Sequence, residues 1–240
     1  MYKRVLLKLS GEALKGDTSE AILDVEYLQN VVEIIKKLHD DGLEIAVVIG
    51  AGNIWRGKLA DAIGIDRAQA DYMGMFGTVI NAVATSSALK RIGVESIVFS
   101  CIPSVQDVAL DYDKNAAKAA LINKKVVFLA GGTGKPFFTT DTAAVLRAIE
   151  LDCDAILMAK NGVDGVFDDD PRYNPNAQLL SDLDYDKILE LGLTVMDKSA
   201  VELIKNQNIV TRVFNMNDPN NFIKVVRGES LGTTCHRKEK

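Results

Sequence analysis

Residues Ile45-Ala-Val-Val-Ile49 carry no polar side chain and stop at Gly50. A strand with one wet face alternates apolar and polar residues, so a run without alternation is buried on both faces. Related runs occur at Val5 to Leu9, interrupted only by Lys8, and at Ile97 to Phe99, Val126 to Ala130 and Ala155 to Ala159. Helical spacing fills the intervals. Leu28, Val31, Val32, Ile35 and Leu38 share one face of Asp24 to Asp41, which Gly42 closes. Arg67 to Arg91 is a long helical stretch rich in alanine and other small residues, and Asn115 to Ile122 is a shorter one. Further helices are predicted over Asp184 to Leu191, Asp197 to Asn206 and Asn217 to Val226, with a strand over Ile209 to Phe214. Parallel strands need crossover-length connections, which these helices supply. The pattern predicts one α/β domain over residues 1–240, a three-layer αβα sandwich around a mostly parallel central sheet.

Composition narrows the partners. The chain has 240 residues, a net charge of −5 and no basic stripe, which argues against a duplex nucleic-acid binder. Its three cysteines, Cys101, Cys153 and Cys235, are widely and irregularly spaced, so neither a disulfide framework nor a zinc pattern follows. The apolar run after Lys3-Arg4 is too short for a signal-peptide core, and none approaches membrane-spanning length. A cytoplasmic protein with no membrane or nucleic-acid partner is expected.

Function in open α/β sheets gathers in loops at the carboxyl ends of strands. The loop after Val126 to Ala130 reads Gly131-Gly-Thr-Gly-Lys-Pro-Phe-Phe-Thr-Thr-Asp141. Its glycines allow close backbone approach, and its threonines and aspartate sit at the start of a helix. It is not a P-loop: Pro136 stands where the magnesium-binding Ser or Thr belongs, and Leu129 where the first glycine belongs. Gly50-Ala-Gly52 opens like a dinucleotide fingerprint, but Trp55 replaces its third glycine. Asp141 reads equally as a helix N-cap or as a functional charge. Phe137 and Phe138 either shape a flat pocket or pin the loop to the core. Lys8, in the last turn of an apolar strand, either snorkels to water or meets an anion. Taken alone, Arg56 reads as a surface residue, Asp71 as a solvated helix residue, and Asp168 to Asn176 as a surface loop.

These blocks occur together in one order: KLSGEAL at Lys8 to Leu14, GAGNIWRG at Gly50 to Gly57, DYMGM at Asp71 to Met75, GTGKPFFTTD at Gly132 to Asp141, NGVDGVF at Asn161 to Phe167, VMD at Val195 to Asp197 and RVFNM at Arg212 to Met216. Over nearly the whole chain this resembles the bacterial uridylate (UMP) kinases of the amino acid kinase family. The resemblance implies the amino acid kinase fold and transfer of the γ-phosphoryl group of MgATP to UMP in pyrimidine nucleotide synthesis. It also implies a homohexamer inhibited by UTP. By the same resemblance Lys8, Leu9, Ser10, Gly11, Gly52 and Arg56 hold the ATP phosphates, and Asn161, Phe167 and Asp170 line the adenosine side. UMP falls to Ala51, Asp71, Thr133, Gly134, Lys135, Pro136, Phe137, Phe138, Thr139 and Thr140. Lys8, Arg56 and Asp141 carry the chemistry, with Asp141 orienting Lys8 and supporting the metal. Protein ligands for Mg²⁺ are not assigned.

The chain departs from the family pattern in three places. Ala51 replaces a common glycine, and Asp168-Asp169 makes the adenine-side loop more acidic. Gly16 to Ile22 lacks the longer GFGI-type segment of the region associated with GTP activation in relatives. Two rival functions stay open at this level: another small-molecule kinase of the same fold, and a nucleotide sensor without turnover.

Overall fold

The computed structural model describes residues 2–16, 20–103 and 107–238. In chain order its elements are β1 (Arg4–Leu9), a 3₁₀ turn (Gly11–Leu14), α1 (Val25–Asp40), β2 (Glu44–Ile49), α2 (Lys58–Ile63), α3 (Arg67–Arg91), β3 (Ser96–Ser100) and β4 (Leu110–Asp111). There follow α4 (Lys114–Ile122), β5 (Val126–Ala130), α5 (Thr140–Glu150), β6 (Ala155–Lys160), β7 (Val166–Phe167), β8 (Leu179–Leu180) and β9 (Asp182–Asp184). The chain ends in α6 (Tyr185–Leu191), α7 (Lys198–Ile204), β10 (Val210–Asn215), α8 (Asn220–Val226) and β11 (Thr233–His236).

Nine strands form one sheet in the order β4-β3-β5-β2-β1-β6-β10-β11-β9. Pairing is parallel except between β10 and β11, so the expected mostly parallel sheet is present. All six residues of β2 are buried: Ile45 to Ile49 as their unbroken apolar character requires, and Glu44 because its carboxylate pairs with Arg4 at 2.7 Å. Alternate residues serve two cores. Val5, Leu7, Ile45, Val47, Phe128 and Leu157 pack with α1, α3 and α8. Leu6, Ala46, Val48, Val127, Ile156 and Met158 pack on the other face with α4, α5, α6 and α7. This period of two assigns every strand side chain to a layer, including the polar ones at strand ends.

Capping chemistry sets the helix boundaries. Asp24 accepts from the Glu26 and Tyr27 amides at 2.9 and 3.3 Å, which starts α1 one residue later than the apolar spacing suggests. Asp184 and Asp197 likewise cap α6 and α7 rather than belonging to them. The last helix begins at Asn220, after Pro219, and not at Asn217. The segment Gly16 to Ile22 lies partly outside the described residues, at 17–19.

Candidate active site

Strands β5, β2, β1 and β6 are neighbours in that order, so the loops at their carboxyl ends lie side by side. This brings Gly131 to Asp141, Gly50 to Gly57, Lys8 to Gly11 and Asn161 to Phe167 to one edge, although more than a hundred residues separate the first strand from the last two. At the centre the Lys8 ammonium lies 2.6 Å from an Asp141 carboxylate oxygen, both side chains under one-fifth exposed. Lys8 follows Leu6 by two residues and leaves the sheet on the α5 side. It meets an anion, as the charge in an apolar strand requires, and does not snorkel to water.

The N-cap reading of Asp141 is corrected. Thr139 caps α5, its hydroxyl accepting from the Asp141 and Thr142 amides at 3.1 and 3.2 Å. The Asp141 carboxylate is thereby free of capping duty and reaches across to β1. Thr139 and Thr142 in turn donate to Asp197, the cap of α7. Asp197 therefore fixes the start of α5 from a neighbouring helix.

Behind Lys8 the backbone is packed to the limit. A Cβ on Gly11 would lie 2.3 Å from Asn53 Oδ1, 2.5 Å from the Gly50 carbonyl and 2.8 Å from the Gly52 nitrogen. Ser10 caps the 3₁₀ turn, its hydroxyl accepting from the Glu12 amide at 3.3 Å. Asn81, fully buried inside α3, exchanges amide hydrogen bonds with Asn53 and donates to the Gly50 carbonyl at 2.8 Å. A helix-interior asparagine thus anchors the loop after β2. Arg56 stands on this loop with a side chain 65% exposed. It pairs with Glu12 and donates to the Gly52 carbonyl, and has no bond to Asp141.

The glycine-rich loop holds its shape through its own turns and through α3. Gly131, Gly132 and Gly134 all have positive φ, and the Gly131 amide donates to Thr78 on α3 at 2.8 Å. Thr133 closes a turn, accepting from the Lys135 amide at 3.2 Å and donating to its carbonyl at 3.0 Å. Phe137 sits at φ 72°, an uncommon place for a side chain of that size, and its amide donates to Asp71 at 2.7 Å. Asp71 is therefore not a merely solvated helix residue. One of its oxygens holds the loop, and the other accepts from Arg67 Nε at 3.0 Å.

A cavity of about 320 Å³ opens between α3 and this loop, lined by Ala51, Trp55, Asp71, Met75, Thr133 and Phe138 among others. Phe137 and Phe138 are 67% and 52% exposed, so the reading that they pin the loop to the core is overturned. Phe138 faces the cavity with its ring partly in water. Cys101 lies under the same loop, its carbonyl 2.9 Å from where a Gly134 Cβ would fall. Cys153 is buried away from it, and burial pushes its thiol up to about 12.

On the far side of Lys8, Phe167 lies in the two-stranded β7–β8 ribbon and Asn161 in the preceding loop. The Asp170 carboxylate is held by the Arg172 guanidinium at 2.7 and 3.0 Å. Among the described residues no group of three or more His, Cys, Asp or Glu side chains is placed to hold a metal ion. The charge pattern at the centre, with the Lys8–Asp141 pair beside a cavity that has hydroxyls on its rim, suits the handling of phosphate anions.

The model of the amino acid kinase family matches residues 3–215. The chain belongs to the amino acid kinase family. Among kinases of this family, it is 44% identical to a uridylate kinase of Pediococcus pentosaceus, with 99% of this chain and 98% of the relative covered. It is 46% identical to a uridylate kinase of Streptococcus thermophilus over 99% of this chain and 96% of the relative. The structure of UMP kinase from Bacillus anthracis superposes with a TM-score of 0.96 at 40% identity, covering 99% of this chain and 97% of that one. In this amino acid kinase the structure brings Lys8 and Asp141, both named from the sequence, together where β1 meets α5. Sequence reasoning missed Asn81, which carries no pattern beyond its helix, and gave Trp55 no role in lining the cavity. It assigned no role to Asp197, although that residue stood inside a recognisable block.

Proposed function

We propose that this amino acid kinase is a UMP kinase, transferring the γ-phosphoryl group of MgATP to UMP to give UDP and ADP. The observation that carries the reading is the Lys8–Asp141 pair at the junction of β1 with the loop that walls the cavity. Phosphoryl transfer asks for in-line positioning of two anions and neutralisation of their charge, more than for a strong base. The attacking oxygen of a nucleoside monophosphate is already ionised at neutral pH, so no histidine is needed. Lys8 neutralises charge on the transferring group, and Asp141 fixes the direction of its ammonium.

The ATP phosphates lie over Lys8 to Gly11 and Gly52, and the adenosine lies toward Asn161, Phe167 and Asp170. Arg56 joins them by exchanging Glu12 for phosphate. That exchange is inexpensive, because an exposed ion pair contributes only about 0–1 kcal/mol. UMP occupies the cavity, with Ala51 and the Thr133 to Thr140 segment around it and Asp71 toward the ribose. Magnesium would enter with ATP, held mainly by phosphate oxygens and water, as hard cations of its size commonly are. Asp141 would be the carboxylate that supports that shell. The experiment is ADP production measured with ATP and each of UMP, CMP, dUMP and acetylglutamate. Turnover dependent on both ATP and UMP is expected. Turnover with acetylglutamate in place of UMP would favour a rival kinase of this fold, and nucleotide binding without turnover would favour a sensor.

The finer reading places this activity in the cytoplasm and in pyrimidine nucleotide synthesis, with UTP as feedback inhibitor, in a single domain over 1–240. It also makes the assembly a homohexamer. Supporting that, α3 exposes Met73, Phe76 and Ile80 at helical spacing, beside Leu59 and Ile63 of α2. A six-chain mass is expected from light scattering at micromolar concentration, and a single-chain mass would refute the assembly.

A further inference from the structure

We propose that Lys160 is a second cation of the phosphoryl-transfer site, placed to meet the terminal phosphate of the nucleotide donor. The proposal rests on the assignment of Lys8 and Asp141 to that site. Lys160 ends β6, the strand that pairs with β1 so that Lys8 stands opposite Met158. Ile156 and Met158 pack into the layer of α5, α6 and α7, and Lys160 continues their alternation. Lys8 continues Leu6 in the same layer. Two ammonium groups on adjacent strands therefore leave the sheet on one face, at one edge, beneath the helix that carries Asp141.

The partners of the two lysines differ. Lys8 has a carboxylate at 2.6 Å, whereas Lys160 donates to the neutral carbonyl of Val195 at 3.0 Å. Among the described residues no carboxylate lies within ion-pair distance of Lys160. Asp141 is engaged by Lys8, and Asp197 by the hydroxyls of Thr139 and Thr142 and by the Ala200 amide. Asp164, on the loop that follows β6, accepts from Asn215. Burial and the neighbouring Lys8 push the Lys160 pKa below the ordinary lysine value, and Asp141 opposes them. A charge withdrawn from water beside a like charge is costly to maintain. Bracing the Val195 carbonyl does not need that charge, since any neutral donor would serve. A phosphate arriving over the carboxyl ends of the two strands supplies the missing anion and relieves the repulsion between the lysines.

Three variants separate charge from bracing. Lys160→Gln keeps a donor for the Val195 carbonyl and removes the charge, Lys160→Arg keeps the charge, and Lys8→Ala is made in parallel. The readouts are kcat with ATP and UMP, the ADP dissociation constant and the thermal midpoint. Lys160→Gln is expected to fold, to bind ADP within about threefold of wild type, and to lose kcat on the order of 100-fold. Lys160→Arg is expected to recover at least about tenfold of that loss. Near-normal kcat in Lys160→Gln, an arginine variant no better than glutamine, or an equal fall in ADP affinity would overturn the proposal. So would failure of both Lys160 variants to fold, which would make the ammonium a strut for the segment before α7. Normal turnover in Lys8→Ala would instead refute the underlying site assignment, whatever Lys160 does.

Discussion

Lys8→Ala is expected to lower kcat on the order of 100-fold or more while leaving the fold intact, the scale seen when one preorganised electrostatic stabiliser is lost. The loss belongs in kcat, because charge on the transferring group is greatest in the transition state. The variant also leaves Asp141 less than one-fifth exposed without its partner, so part of the damage would appear as lost stability. The double variant Lys8→Met with Asp141→Asn separates the two effects. Removing both charges together spares the protein an unpaired buried ion, so the thermal midpoint should return toward wild type. Turnover should not return, because the cation is still missing. A folded Lys8→Ala protein with kcat within about threefold of wild type would contradict the role given to Lys8.

Much of this site was legible because charge inside an apolar strand is conspicuous. Lys8 interrupts Val5 to Leu9, and the cost of burying an ammonium makes an anionic partner one of its two readings, the other being a side chain that snorkels to water. The same reasoning applies to Lys160, but that residue falls just past Ala155 to Ala159, where a polar residue reads as the ordinary end of a strand. Only the pairing of β1 with β6 shows that the two lysines share a face. Asn81 was illegible for a different reason, and Asp71 stood out only through the family resemblance, not through its own helix. Inside a long helix of weak amphipathic character, a polar residue has no local signal that separates solvent from a neighbouring loop. The contacts that decide them come from segments 31 and 66 residues away. Asp141 looked like a cap because capping residues and functional carboxylates share one chemistry. Thr139, two residues earlier, takes the cap and frees the charge. The large sheet was readable from five apolar runs, whereas β4, β7, β8, β9 and β11 have only two to four residues each, too few for periodicity to declare.

Gly11→Ala should be the most damaging single-methyl change at the site. The new Cβ would lie 2.5 Å from the Gly50 carbonyl and 2.8 Å from the Gly52 nitrogen. Both are backbone atoms, and Gly50 is held by Asn81 on one side and by the Leu9 carbonyl on the other, so neither can swing aside like a flexible side chain. Asn53 could yield at 2.3 Å only by abandoning its exchange with Asn81, which would leave buried amides unpaired. The loops after β1 and β2 must therefore separate, and overpacking of this kind costs roughly 1–3 kcal/mol. In a chain of this length that corresponds to a thermal midpoint lower by about 3–10 °C. The effect on turnover should be larger than the effect on stability. On the proposed function the displaced segment is the one that orients Lys8 to Gly11 against the nucleotide, and misplacement by about 1 Å can cost on the order of 100-fold in rate. Thermal unfolding and steady-state kinetics on the purified variant, assayed well below its midpoint, check both. Wild-type stability together with activity within about threefold would show that the strand edge relaxes freely, and the case for a rigid phosphate cradle at Gly11 would fail.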